Sequence, residues 1–252
     1  MILFLTLSCA SQPLPSVPLQ WQTLQYSLNL HAEFQSIDCD GCLIGLAPNE
    51  EIDFNWVIEL ASGAQHRDSS HDIHLRIVDS EAKDSSGTKL SLDYDDRTVL
   101  LRSFQSGELL KIDHSWRLSG PERHMDVFDL IFPLLFPSPP ALDEGATHME
   151  SMRWPVRWTP SSNGTNQLLL EWQFVANDND RVQIDYGGDW STDGRWNHLA
   201  VNGKGEATGQ VWLAPNGGLA IEHRFKWMRE LCYEGSRRLC QQQQFSGVLE
   251  RK

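Results

Sequence analysis

Between Leu24 and Phe34 every even-numbered residue is apolar (Leu24, Tyr26, Leu28, Leu30, Ala32, Phe34) and nearly every odd-numbered one is polar. A helix, whose faces recur every 3.6 residues, scatters such a pattern around its surface, whereas a strand gathers it onto one side. The segment therefore reads as a half-buried strand. Weaker alternation recurs over Gln167–Phe174, Arg181–Trp190, Glu206–Leu213 and Leu219–Trp227. Turn-forming clusters separate these runs: Asn177-Asp178-Asn179-Asp180, Asn202-Gly203-Lys204-Gly205 and Pro215-Asn216-Gly217-Gly218. Ile52–Leu60, His74–Val78, Leu90–Tyr94, Thr98–Phe104 and Leu109–Ser115 supply further short strands. Short strands broken by turns, with no long helical segments between them, specify an antiparallel meander and exclude a doubly wound nucleotide-binding fold. The expected class is mainly β: a curved sheet, half-barrel or sandwich with one mid-chain helix.

That helix is expected where the period breaks. Ser119-Gly120-Pro121-Glu122 offers a cap, a proline at the first helical position and an early acid, and Val127–Phe136 is apolar on most sides. Pro133 has no N–H and crowds the preceding turn, so the helix should stop near Phe132. Four segments follow: a signal and tether over 1–20, a β-rich half over 21–118, helix and Pro-rich connector over 119–140, and a second β-rich half over 141–252. The halves either share one sheet or form two. The helix needs cover from the sheet, a ligand or a partner, which makes Val127, Phe128, Ile131 and Phe132 a candidate ligand or partner surface.

Charge narrows the choice of partner. With 21 basic and 34 acidic side chains the net charge is −13. Such a field repels phosphate backbones, so no nucleic-acid partner is expected.

At the amino terminus an apolar run, Met1–Leu7, leads through Ser8 to Cys9 and then to Ala10-Ser11-Gln12-Pro13-Leu14-Pro15-Ser16-Val17-Pro18. Leu5-Thr6-Leu7-Ser8-Cys9 resembles a lipobox, in which the cysteine becomes the lipidated first residue. No Lys or Arg precedes the run. The resemblance implies a bacterial envelope protein anchored to a membrane through Cys9, in the outer membrane by expectation. The remaining cysteines form two local pairs, Cys39 with Cys42 and Cys232 with Cys240, which suits an oxidising compartment. Cys232 and Cys240 read as strand ends around a Glu234-Gly235-Ser236 turn, an easy geometry for a bridge. Structural disulfides are the expectation for both pairs, although four cysteines allow three connectivities. A redox dithiol or half of a zinc site are the sharper readings of Cys39 and Cys42.

The carboxyl half resembles a group of uncharacterised bacterial envelope lipoproteins, through Phe132–Pro140, Met152-Arg153-Trp154-Pro155-Val156, Gly203–Gly209 and Val211–Leu219. These are similar in general shape to curved-sheet lipoprotein carriers whose concave face and helix hold acyl chains. The resemblance is one of layout and implies no catalytic residue.

Three clusters suggest chemistry, each with a plainer alternative. His66, His71 and His74 with Asp68 or Asp72 are ligand types that zinc, copper or nickel accept, yet His71 and His74 would face opposite ways on a strand, so a polar loop is expected. Asp93-Tyr94-Asp95-Asp96 and Asn177–Asp180 carry calcium-type oxygens but lack the 12-residue calcium loop, and read as turns. Asp185, Asp189 and Asp193 beside Trp190 and Trp196 suggest a sugar platform, against an ordinary core role for tryptophan. No hydrolase elbow, zinc-protease or phosphate-loop motif occurs, and no cofactor is expected. The functional expectation is a lipid-anchored, non-catalytic binding or interaction module. The alternatives are a carrier of lipid or another apolar ligand, and a hydrolase using carboxylates or a metal.

Overall fold

The computed structural model describes residues 23–36, 49–68, 70–90, 98–103, 109–114, 145, 147–156, 163–178, 181–196, 198–214, 220–235 and 238–252. Its strands are β1 (Thr23–Ser36), β2 (Asn49–Gln65), β3 (His71–Asp84), β4 (Lys89–Leu90), β5 (Thr98–Ser103), β6 (Leu109–His114), β7 (Thr147–Val156), β8 (Asn163–Asp178), β9 (Arg181–Trp196), β10 (Leu199–Leu213), β11 (Ala220–Glu234) and β12 (Arg238–Arg251). Eleven of them form one antiparallel path, β6-β5-β3-β2-β1-β12-β11-β10-β9-β8-β7, and β4 pairs with β3 off that path. The two β-rich halves are thus two meanders zipped together by the first and last strands, from Tyr26 opposite Arg251 to Ser36 opposite Gln241.

The sheet is curved and its ends do not hydrogen-bond to each other, although Cα atoms of β6 and β7 come within 8 Å. Curvature is what the alternation demands. One phase of every long strand is apolar, and without a second layer a flat sheet would leave that face in water. Curling turns it inward, where Leu28, Trp56, Leu75, Val99, Trp154, Trp172, Trp227 and Leu249 from across the sheet join one contiguous core, none more than 2% exposed. The other phase is mostly polar: Glu51, Asp53 and Asn55 on β2, and Arg224 and Lys226 on β11, are exposed, with Met149, Leu169, Val175 and Met228 as exposed apolar exceptions. A transmembrane barrel has the reverse arrangement, apolar outside and polar within.

No helix occurs among the described residues, and none there is long and apolar enough to cross a membrane. The helix expected over 119–132, with Val127, Phe128, Ile131 and Phe132, lies outside the described residues, as do Cys9, Cys39, Cys42 and Asp93–Asp96.

One expected turn is corrected. Asn202-Gly203-Lys204-Gly205 does not reverse the chain but lies inside β10. Gly203, Gly205 and Gly209 fall in the inward phase, and their missing side chains make room for their neighbours. A Cβ on Gly203 would meet Thr192 Cβ at 2.8 Å, and one on Gly209 would meet the Tyr186 ring at 2.6 Å. The glycines therefore mark a strand overlaid by large side chains from either flank.

Candidate functional site

The inner face is apolar for most of its length, then changes character toward the rim where β11 turns into β12. On β11 the inward positions run His223, Phe225, Trp227, Arg229, Leu231, Tyr233, and on β12 they run Leu239, Gln241, Gln243, Phe245, Gly247, Leu249. Register lines up two inward rows across the strands. The first is Leu168, Trp190, Gly205, Arg229, Gln243 and Phe34. The second is Trp154, Asn166, Thr192, Gly203, Leu231 and Gln241. Polar groups gathered in these rows are almost fully enclosed: Asn166, Thr192, Arg229, Gln241 and Gln243 are at most 3% exposed.

Arg229 crosses over Gly205, where no side chain obstructs it. Its guanidinium carbon lies 5.0 Å from the Trp190 ring centroid and 5.5 Å from that of Phe245, so two ring faces offset part of the desolvation of a buried cation. Its Nε donates to Gln243 Oε1 at 2.7 Å, and Gln243 Nε2 donates to Gln241 Oε1 at 2.8 Å. On the far side of Trp190, Thr192 Oγ1 donates to Asn166 Oδ1 at 2.7 Å and Trp190 Nε1 donates to Thr192 Oγ1 at 3.1 Å. Asn166 Nδ2 is enclosed with no acceptor among the described residues. Nearby on β2, burial and then the Asp84 charge lift the Glu50 carboxyl above its ordinary range.

A second polar group lies deeper. Trp227 Nε1 donates to the Tyr186 hydroxyl at 3.0 Å, and that hydroxyl is 2.9 Å from His223 Nε2. Burial raises the Tyr186 hydroxyl well above its ordinary range, outweighing the Trp227 hydrogen bond, so it stays protonated. The direction of the bond between that hydroxyl and His223 follows the imidazole tautomer. At the β7 edge, Glu150 faces inward and accepts from Trp172 Nε1 at 2.9 Å, and burial lifts its carboxyl to about 7.

The residues singled out in the sequence are mostly dispersed. His66 and Asp72 do meet, Nε2 to Oδ2 at 2.9 Å, but the other Asp72 oxygen accepts from Arg102 Nε at 2.9 Å. The Arg102 hydrogen bond, followed by that of His66, holds the Asp72 carboxyl below its usual range. Asp68 turns away to bind the backbone N–H and hydroxyl of Ser70. Both carboxylates are thus engaged locally, and no metal cluster forms from His66, His71 and His74 among the described residues. Of the two readings of the Asp-Trp cluster the ordinary core role holds: Asp185, Asp189 and Asp193 lie on the outward phase of β9, while Trp190 and Trp196 point inward, Trp196 packing on Tyr233 at 5.2 Å between ring centroids. Asn177 and Asp178 end β8, where the Asp178 backbone is in register with Arg181 of β9, and Asn179 and Asp180 lie outside the described residues.

Cys232 and Cys240 lie directly opposite each other on the outward phase of β11 and β12, at disulfide-bonding distance with Cα atoms 4.1 Å apart. Glu230 lies beside them: its carboxylate and the two sulfurs all fall within 4.8 Å of one another.

The buried Arg229–Gln243–Gln241 chain escaped the sequence reading because Gln241-Gln242-Gln243-Gln244 looks like a featureless tract. Phase was the available signal: carrying the alternation of Phe245 and Leu249 back to Leu239 places Gln241 and Gln243 inside and Gln242 and Gln244 outside. No protein-family model matches the chain, and no curated protein is significantly similar to it.

Proposed function

We propose that this chain is a non-catalytic binding or interaction module of the bacterial envelope, tethered through Cys9 and engaging its partner from outside the curled sheet. The observation that carries this reading is the filling of the inner face by the chain's own side chains. Trp56, Trp154, Trp172, Trp190 and Trp227 are each at most 2% exposed, and they occupy the space that an acyl chain would need. This favours the interaction reading over that of a lipid carrier. The hydrolase reading loses support from the same geometry, since its candidate residues at His66, His71 and His74 do not converge on a shared cleft and Asp72 is bound to Arg102. The lipobox resemblance at Leu5–Cys9 supports the tether.

Native mass spectrometry of the protein extracted from bacterial membranes tests the whole reading. The expected species is residues 9–252 with a diacylglyceryl and an acyl group and no stoichiometric non-covalent lipid. A one-to-one releasable lipid would instead support the carrier. A soluble, unmodified chain starting at Met1 would overturn the tether.

A further inference from the structure

We propose that Glu230, Cys232 and Cys240 form a redox-gated zinc site, closed while the two sulfurs are bonded to each other and open when that bond is reduced. The inference is independent of the compartment assigned above, because it concerns what the two sulfurs do in each state.

The sheet itself supplies the geometry. Glu230 and Cys232 are two residues apart on β11, so both point outward, and Cys240 sits directly across from Cys232 on β12. Positions i and i+2 on one strand plus the cross-strand neighbour of one of them form a compact triangle on a single face. Their ligand atoms already lie within 4.8 Å of one another, which no other such trio among the described residues achieves. Zinc takes thiolate sulfur at about 2.3 Å and carboxylate oxygen at about 2.0–2.2 Å, so tetrahedral coordination needs sulfurs about 3.8 Å apart and sulfur to oxygen about 3.5 Å apart. Glu230 Oε1 stands 3.4 Å from Cys232 Sγ already. Side-chain rotation on reduction supplies the sulfur separation without moving either strand.

Charge and exposure agree. Two thiolates and one carboxylate carry −3, and Zn²⁺ leaves −1. The Arg238 guanidinium, Nη2 3.4 Å from Cys232 Sγ, offsets the remainder. Arg238 is itself well exposed, so it can swing aside when the ion enters. Cys232 is enclosed while Glu230 and Cys240 are half-buried, so three protein ligands hold one side and solvent reaches the fourth position, as in sites that keep a bound water.

The chemistry balances with a dithiol as reductant. Two successive exchanges transfer two electrons and two protons to the protein sulfurs, giving two thiols, while the reductant departs as its own cyclic disulfide. Binding of Zn²⁺ then releases both thiol protons to solvent, and the two thiolates and the carboxylate each donate a lone pair.

The test uses the full chain carrying Cys9→Ser, Cys39→Ser and Cys42→Ser, so that the only sulfurs able to form thiolates are the pair. After reduction with dithiothreitol and its removal without oxygen, Co²⁺ is titrated as a spectroscopic stand-in. The expected result is a thiolate-to-cobalt charge-transfer band that saturates at one equivalent, disappears on adding Zn²⁺ and is absent from the oxidised protein. Adding Cys240→Ser abolishes the band, and Glu230→Gln, which keeps both sulfurs, weakens Co²⁺ affinity about tenfold or more. No band from reduced protein, a band that survives Cys240→Ser, or unchanged affinity in Glu230→Gln would each overturn the proposal. Should Cys240→Ser fail to fold, as far-UV circular dichroism reports, the Glu230→Gln titration decides alone.

Discussion

Gly205 and Gln243 show how far single atoms set this interior. A Cβ on Gly205 would come within 2.6 Å of the Arg229 Cα, a backbone atom that cannot step aside. Gly205→Ala should therefore cost about 3 kcal/mol in urea unfolding. Gly187→Ala, where nothing lies within 4 Å, should be neutral or stabilise by about 0.5 kcal/mol through the unfolded chain. Gln243→Leu removes the acceptor of Arg229 Nε and should cost about 2–3 kcal/mol, whereas Gln244→Leu, on the outward phase, should change stability by less than about 0.5 kcal/mol. Equal effects at 243 and 244 would refute the assigned phase. Glu150 makes a pH prediction. Its folded carboxyl titrates at about 7, against about 4.3 unfolded. Between those values the unfolded chain loses the proton while the folded one keeps it. Stability should thus fall as pH rises through that window, by about 3–4 kcal/mol in all, and level off above it. Glu150→Gln should abolish the fall, matching the parent at pH 4 and exceeding its urea midpoint at pH 8.

Among the elements, the β11–β12 hairpin combines a sequence-legible bridge with an illegible interior. Joining residues eight apart restricts the unfolded chain by about 2.5 kcal/mol on the loop-entropy scale, so Cys240→Ser should lower stability by about that amount under oxidising conditions and by almost nothing under reducing ones. Legibility followed the purity of the two-residue period. β1 is written in unbroken alternation and appears where that pattern places it. The second half of β10 was legible over Glu206–Leu213, but its first half hides because the inward phase there is Val201, Gly203, Gly205, and glycines chosen for lack of volume look the same in sequence as glycines chosen for a turn. β12 hides because two of its core-facing positions are glutamines, whose partner Arg229 is on another strand. Trp190 takes the ordinary core role open to it in the sequence, because the strand's alternation puts it on the face opposite the neighbouring aspartates. For the β10 glycines and the β12 glutamines, what stands across the sheet explains the residue chosen, whereas strand phase alone assigns the face.

For the molecule as a whole, the pairing of β1 with β12 decides whether there is one unit or two. Both halves contribute to one continuous core through Leu28, Trp56, Trp172 and Trp227, so neither meander can lose its packing while the other keeps it. Urea unfolding should be a single transition, with tryptophan fluorescence and far-UV circular dichroism coinciding. Two separated transitions would mean that the halves unfold as independent domains. The same pairing has a topological consequence. The amide N–H of Lys252 donates to Gln25 O at 2.9 Å, so the last strand ends beside the start of the first. A short linker between Lys252 and Thr23 would close the chain into a circle without disturbing a ladder, and the circle could be cut between β8 and β9 to give a circular permutant with the same sheet. In the native order, chain entering at Thr23 and any peptide fused after Lys252 would meet the sheet at one corner, leaving the opposite rim, between Glu234 and Arg238, as the end farther from both.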